Sequence, residues 1–348
     1  MKKSTFTILL AFLFLVQGIA QQVEQQQRSL ITKRTADWCP YCGTWGWAFF
    51  KAAIEQNEDK AILMAAHYDG GLANPAAEEI TDNFGGFYQP KFFLNETQLG
   101  VTSGNVIAKL EYLKPLVDSI FEVAPVANCG FDLTYENGEL KADAVVKFFQ
   151  AAQGEYYLGL YLLEDSVVAY QNSIGPNAIH RHLFRFPFTE ETFGQPIANG
   201  DVSAGQEFDL NFALPIGDPT GYNYEVVGII WKKEGDKYKP VNVWSNDNIQ
   251  VVVVSGTTTE VPGDRLVVGP TMATETANIF TQLVDEQPVA TIDVVDVNGR
   301  VVATVYNGAL KKYQPYFQLN KNQVGGAGLY FVRLRTPGLV LVEKVIFQ

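Results

Sequence analysis

A chain of 348 residues exceeds the usual size of one domain and leads to an expectation of two or three. Acidic residues outnumber basic ones 38 to 26, and a net charge of −12 repels phosphate backbones, which argues against nucleic acid as a partner. A hydrophobic content of 47% with only 18% charged residues excludes a disordered or collagenous chain, and three cysteines are too few for a disulfide scaffold or a four-thiolate zinc site.

Taken in chain order, the sequence opens with Lys2 and Lys3, an apolar run over residues 8–16, and then Gly18-Ile19-Ala20, small residues at the −3 and −1 places a signal peptidase needs. This predicts a cleaved signal peptide over residues 1–20. The run is about half the ~20 apolar residues that span a bilayer, and no later segment reaches that length, so no transmembrane helix is expected. The mature protein is then exported, in a compartment where disulfides form.

Residues 24–123 alternate strand-like and helix-like patterns: strands at 29–32, 61–66 and 91–94, helices at 43–56 and 103–121, the second interrupted by Pro115. That alternation predicts an α/β layered domain. Over residues 124–255 the period changes to two. Strand patterns at 131–135, 140–149, 156–163, 208–214, 224–231 and 249–254 are separated by turn residues such as Asn137-Gly138, which predicts a β-sandwich. A polar stretch at 256–263 reads as a linker, and residues 264–348 return to strand patterns at 290–297, 300–305, 328–334 and 339–347, a small all-β module. Charge divides the chain in the same place: residues 21–260 carry −15 and residues 261–348 carry +1.

The chemistry-bearing motif is Trp38-Cys39-Pro40-Tyr41-Cys42. Two cysteines spaced C-x-x-C at a helix start put the first thiol among unpaired N–H groups that favour its thiolate, with Pro40 in the first turn, where its missing N–H costs nothing. Such a pair can exchange electrons with a substrate disulfide through a mixed disulfide, or it can be an inert disulfide. Half a zinc site is the weakest reading, since no second cysteine pair exists.

Residues 36–42, Ala-Asp-Trp-Cys-Pro-Tyr-Cys, resemble the W-C-x-x-C signature of the thioredoxin fold, with the dipeptide found in glutaredoxins. Tyr88-Gln89-Pro90-Lys91-Phe92-Phe93-Leu94-Asn95 is similar to that family's cis-proline loop and following strand. The resemblance covers about 100 residues and implies Cys39 as attacking thiol, Cys42 as resolving thiol and Pro90 as a cis-proline that offers backbone to an extended substrate. It departs from the family at Lys33, which stands where thioredoxins carry a buried acid. A lysine near the sulfurs would favour thiolate and an oxidising couple; the alternative is a lysine that points to solvent.

Elsewhere, Cys129 reads as a buried apolar cysteine rather than a third redox partner. His180-Arg181-His182 would place two imidazoles on one strand face, a weak metal pair more readily explained by packing. The order of signal, thioredoxin-like segment and sandwich resembles a family of exported thioredoxin-like, outer-membrane-associated bacterial proteins. In the tail, Asp296-Val297-Asn298-Gly299-Arg300-Val301-Val302 resembles the D-x-x-G-R-x-V core of type IX (Por) secretion sorting domains. Residues 326–334 resemble their G-x-Y-x-x-R/K strand, and residues 343–348 their short basic-then-apolar terminus.

The expected protein is therefore multidomain: an α/β thioredoxin-like domain, an all-β sandwich and an all-β sorting domain. Its expected activity is thiol–disulfide exchange on extracytoplasmic protein substrates, which requires no metal or organic cofactor. The alternative is a non-catalytic surface binding or structural protein that keeps the disulfide as a staple. Expected partners are protein thiols or disulfides, the type IX machinery and other envelope proteins. The expected location is the outer-membrane surface or the extracellular space, reached through the periplasm.

Overall fold

The computed structural model describes residues 23–136, 138–216, 219, 221–252, 264–269, 271–310 and 317–348. The signal segment 1–20, the linker 256–263, Asn137 of the expected hairpin turn and residues 253–254 of the last expected sandwich strand lie outside these residues. The first part of the chain gives strands β1 (Ser29–Ala36), β2 (Ala61–Asp69), β3 (Lys91–Leu94) and β4 (Thr97–Gln98), and helices α1 (Pro40–Gly43), α2 (Trp45–Asn57), α3 (Pro75–Asn83) and α4 (Val106–Phe121). Strands β5 (Ala127–Glu136), β6 (Glu139–Phe148), β7 (Ala152–Asp165), β8 (Val167–Gln171), β9 (Gly175–His180) and β10 (Leu183–Pro187) follow. Then come β11 (Gln195–Val202), β12 (Glu207–Pro215), β13 (Asn223–Glu234), β14 (Lys237–Asn246) and β15 (Ile249–Val251).

These strands do not sort as the sequence predicts. A nine-stranded mixed sheet runs β14-β13-β7-β10-β2-β1-β3-β4, with β11 on the same edge of β7 as β10. The expectation of a separate α/β thioredoxin-like domain is thereby overturned: the described chain is mostly β, with four α-helices, and the sheet draws strands from both sides of residue 123. Two features cause this. The outer edge of β2 is left open and takes β10 in parallel at Ala65 and Leu183. Strand β7 is apolar on both faces, as a strand must be when layers cover it on each side.

Tyr156, Leu158, Leu160 and Leu162 of β7 face a second sheet, β12-β6-β5-β15, across a core that includes Phe131, Phe148 and Ile230. The intervening Tyr161 and Leu163 face α3 over a different core with Phe93, Phe184 and Trp231. There Trp231 donates its indole N–H to the Tyr161 hydroxyl, which donates to the Thr192 carbonyl, both at 2.7 Å, so that buried polar atoms are paired. Helices α2 and α4 cover the β1–β3 part of the sheet, packing Phe49, Phe50, Ile54, Leu113 and Val117 on Ile31, Leu63 and Phe92. Cys129 is the expected buried cysteine: it lies in the core between the sheets, and burial pushes its thiol up to about 12, which keeps it protonated.

The C-terminal residues form two further sheets around one core that contains Ile279, Val294, Leu319, Val332 and Phe347. Strands β16 (Arg265–Gly269), β18 (Thr276–Gln282) and β21 (Phe317–Asn320) form the first; β17 (Met272–Ala273), β19 (Gln287–Asp296), β20 (Val301–Leu310), β22 (Gly328–Arg335) and β23 (Val340–Phe347) form the second. No helix among the described residues is long and apolar enough to cross a membrane.

Candidate functional site

The cysteine pair sits where β1 leaves the sheet. Cys39 has extended backbone angles and caps α1, its sulfur accepting from the Cys42 N–H at 3.1 Å, with Pro40 opening the turn. The two sulfurs form a disulfide with Cα atoms 5.2 Å apart. Helix α1 is a single turn, separated from α2 by Thr44, so the thiols do not cap the longer helix that the sequence pattern predicts.

Both sulfurs are walled in. Cys39 is 2% exposed and Cys42 0%, packed with Ala36 and Tyr68. The cover is the β8–β9 hairpin, which sequence reasoning did not connect to this motif. The Gln171 side-chain amide donates to three carbonyls, those of Ala36 at 3.3 Å and of Asp37 and Cys39 at 3.1 Å. The Asn172 N–H adds a bond to the Asp37 carbonyl at 2.7 Å. Gly43 is required beneath the hairpin, because a Cβ there would meet the Asn172 carbonyl oxygen at 1.8 Å. Trp38, Pro40 and Tyr41 of the motif reach solvent, whereas the two cysteines do not.

The Gln89–Pro90 peptide bond is cis. Pro90 is buried against Gly46 at the start of α2, beside rather than on the surface. Pro90 and the Tyr41 carbonyl both approach Gly46, and Cys39, Cys42 and Pro90 are all buried.

Lys33 does not point to solvent. It occupies the middle of β1 between Ala65 and Phe92, is 3% exposed, and its ammonium lies 5.2 Å from the Trp47 ring and 5.4 Å from the Phe50 ring. Burial lowers its pKa to about 7. The period-two alternation that turns Lys33 toward α2 also turns Ala65 and His67 of β2 to that face. His67 meets His180 of β9, ring centroids 5.2 Å apart, and His180 in turn meets Trp47 at 5.2 Å.

The expected pairing of His180 with His182 on one strand face does not occur. Strand β9 ends at His180, and His182, at φ +48°, turns its Nδ1 to within 3.5 Å of Glu225. Among the described residues no group of three or more His, Cys, Asp or Glu is gathered as a metal site would require.

In the C-terminal module the motif residues have identifiable structural tasks. The Asp296 carboxylate accepts from the N–H groups of Asn298 and Arg300 at 2.9 and 3.0 Å, and Gly299 adopts φ +80°, closing the tight turn from β19 to β20. Those N–H groups, Arg300's foremost, lower the Asp296 pKa. Arg333 of β22 forms a two-pronged bond to Asp293 of β19 at 2.9 and 3.1 Å, and Arg335 also contacts Asp293.

No protein-family model matches this chain. No curated protein matches it either. Among solved structures, HBP35 of Porphyromonas gingivalis is similar with a TM-score of 0.55 at 15% identity, over 94% of this chain and 100% of that one. At that identity the likeness concerns the fold alone, and it extends through the sheets and the C-terminal module together. A biofilm-associated protein's BSP domain aligns over 69% of this chain and 55% of that chain, with a TM-score of 0.20 at 10% identity, too low to carry an argument.

Proposed function

We propose that this chain is an exported, non-catalytic binding or structural protein of the bacterial surface, in which Cys39–Cys42 is a buried staple. The reading rests chiefly on one observation: Cys39 and Cys42 are 2% and 0% exposed under a hairpin that is hydrogen-bonded to three backbone carbonyls around them. A nucleophilic thiol must reach its target sulfur in line, and a covered one cannot. Thiol–disulfide exchange through Cys39 and Cys42 is the reading it displaces.

The test is reactivity. After mild reduction without denaturant, iodoacetamide should leave Cys39 and Cys42 unmodified for hours, and the protein should not turn over a model dithiol–disulfide substrate. Turnover that Cys39→Ser abolishes would overturn the reading. As a staple of a four-residue loop the disulfide should contribute about 2 kcal/mol, read as the stability lost in a Cys39→Ser, Cys42→Ser double variant.

Delivery is proposed to follow the type IX route, with a signal segment at one end and a sorting module over residues 264–348 at the other. Deleting residues 343–348 in a bacterium that carries that machinery should leave the protein in the periplasm. Surface display of the truncated chain would refute the sorting claim.

A further inference from the structure

The β8–β9 hairpin does more than cover the disulfide. Its second strand also roofs a cavity of about 370 Å³ between α2 and the β1–β2 face of the large sheet. That volume falls in the range of small-molecule sites, about 300–1,000 Å³. Its walls are the Trp47 and Phe50 rings and Ile54, with Lys33, His67 and His180 set among them. Ile174 and Ile179 line it while remaining exposed, so the cavity opens to solvent at the hairpin.

Charge gives the cavity its preference. Lys33, Lys51 and Arg181 line it and no Asp or Glu does, in a part of the chain that carries −15 over residues 21–260. Two of these cations are already engaged: Arg181 binds Asp165, its Nε 2.7 Å from Oδ2, and Lys51 lies 3.9 Å from Glu55. Lys33 has no ion pair and no hydrogen bond among the described residues; the Trp47 and Phe50 rings lie within 5.4 Å of its ammonium, and no carboxylate lines the cavity with it. His67 Nδ1 and His180 Nε2 are likewise buried without a hydrogen-bond partner. Native interiors seldom leave such groups unmatched, because each costs about 1–3 kcal/mol. The cost disappears if something else completes them.

We infer that this cavity binds a small organic monocarboxylate with an apolar body, its carboxylate on Lys33 and its hydrocarbon part against Trp47 and Phe50. A fully polar anion would leave the rings unused. An uncharged apolar molecule would leave the lysine and both imidazoles unmet. A carboxylate on an aromatic or short aliphatic frame satisfies both sides, and it also gives the Lys33 charge the counter-ion that the fold withholds. The inference gives a ligand class to the binding reading proposed above and rests on it, yet it fails separately, since the titration below does not involve the sulfurs.

Phenylacetate, 4-phenylbutyrate and hexanoate are the probes, titrated calorimetrically into the mature chain with its disulfide intact, and phenylacetamide is the uncharged control. At least one acid should bind saturably, and phenylacetate should bind at least tenfold tighter than its amide. Lys33→Met should erase that preference. Ile174→Trp, at an exposed hairpin position that leaves Lys33 in place, should weaken binding of the acids at least tenfold. No saturable binding by any acid, equal binding of phenylacetate and phenylacetamide, a preference that survives Lys33→Met, or acid binding untouched by Ile174→Trp would each overturn the inference.

Discussion

Lys33→Met should make the ligand-free protein more stable by about 3 kcal/mol at pH 6, and the gain should vanish as the pH approaches 10.5. The buried ammonium has its pKa lowered by desolvation from 10.5 to about 7, so the unfolded chain binds a proton more readily than the folded one. Below pH 7 both states are protonated and the folded state bears the full cost, nearly 5 kcal/mol at 1.36 kcal/mol per pH unit. Attraction to the Trp47 and Phe50 rings returns about 1–2 kcal/mol of it. Between pH 7 and 10.5 the folded protein has shed the proton and the unfolded chain has not, so native stability should climb with pH across that window. Methionine keeps the length and removes the charge.

The charged or titratable groups around Lys33 set the acid side of the same curve. Lys51 stands on α2, His67 on β2, and His180 and Arg181 at the end of the hairpin, while Arg185 on β10 acts on His67. Desolvation lowers His67 well below its ordinary value, and desolvation followed by the Lys33 charge lowers His180 to about 4. Both imidazoles are therefore neutral in the fold, while the unfolded chain protonates them near 6.5. Stability should fall as pH drops from 6.5 toward 4, and less steeply in Lys33→Met, where the repulsion is gone. Urea denaturation at several pH values measures both limbs. An unchanged midpoint in Lys33→Met at pH 6 would mean that the ammonium is hydrated rather than buried.

Much of this was legible in the sequence as local pattern and hidden as long-range pairing. The run Tyr156 to Leu163 declares a strand, and its apolar residues on both faces declare burial on both sides. What it cannot declare is that one covering layer is α3, some 80 residues earlier, and that β10 closes onto β2. The C-x-x-C motif was visible, with its proline and the later Pro90. Its cover was not, because residues 167–180 are short and turn-rich, and Gln171 looks like any polar turn residue until its amide is found on three carbonyls. Lys33 carried a signal of a kind: a lysine inside a β-prone segment, which only the register of β1 with β2 and β3 turns into a buried charge. Helix α3 was missed altogether, although Asn74 caps it by accepting from the Ala76 N–H and Pro75 follows in the first turn, the usual signature of a helix start.

Removing both arginines from the C-terminal ion cluster should cost more than removing the acid they share. Asp293 is 1% exposed, whereas Arg333 and Arg335 reach the surface. An Arg333→Met, Arg335→Met variant leaves a carboxylate buried without a counter-charge and should lose about 3–5 kcal/mol. Asp293→Leu leaves two arginines that swing into water and places an apolar side chain in the core, so its loss should stay below about 2 kcal/mol. Equal losses in the two variants would show that the cluster acts through packing rather than charge. The same asymmetry bears on how sorting is to be tested. Arg333 belongs to the sorting-like strand motif and its side chain holds β22 to β19, so its loss would hinder delivery through unfolding alone. Glu343, Lys344 and Arg300 are exposed. Charge reversal at Glu343 and Lys344, which unlike Arg300 have no ion pair among the described residues, should leave the denaturation midpoint within about 0.5 kcal/mol of native. A delivery defect in those variants, measured as periplasmic retention of a stably folded protein, would therefore report recognition and not collapse of the module.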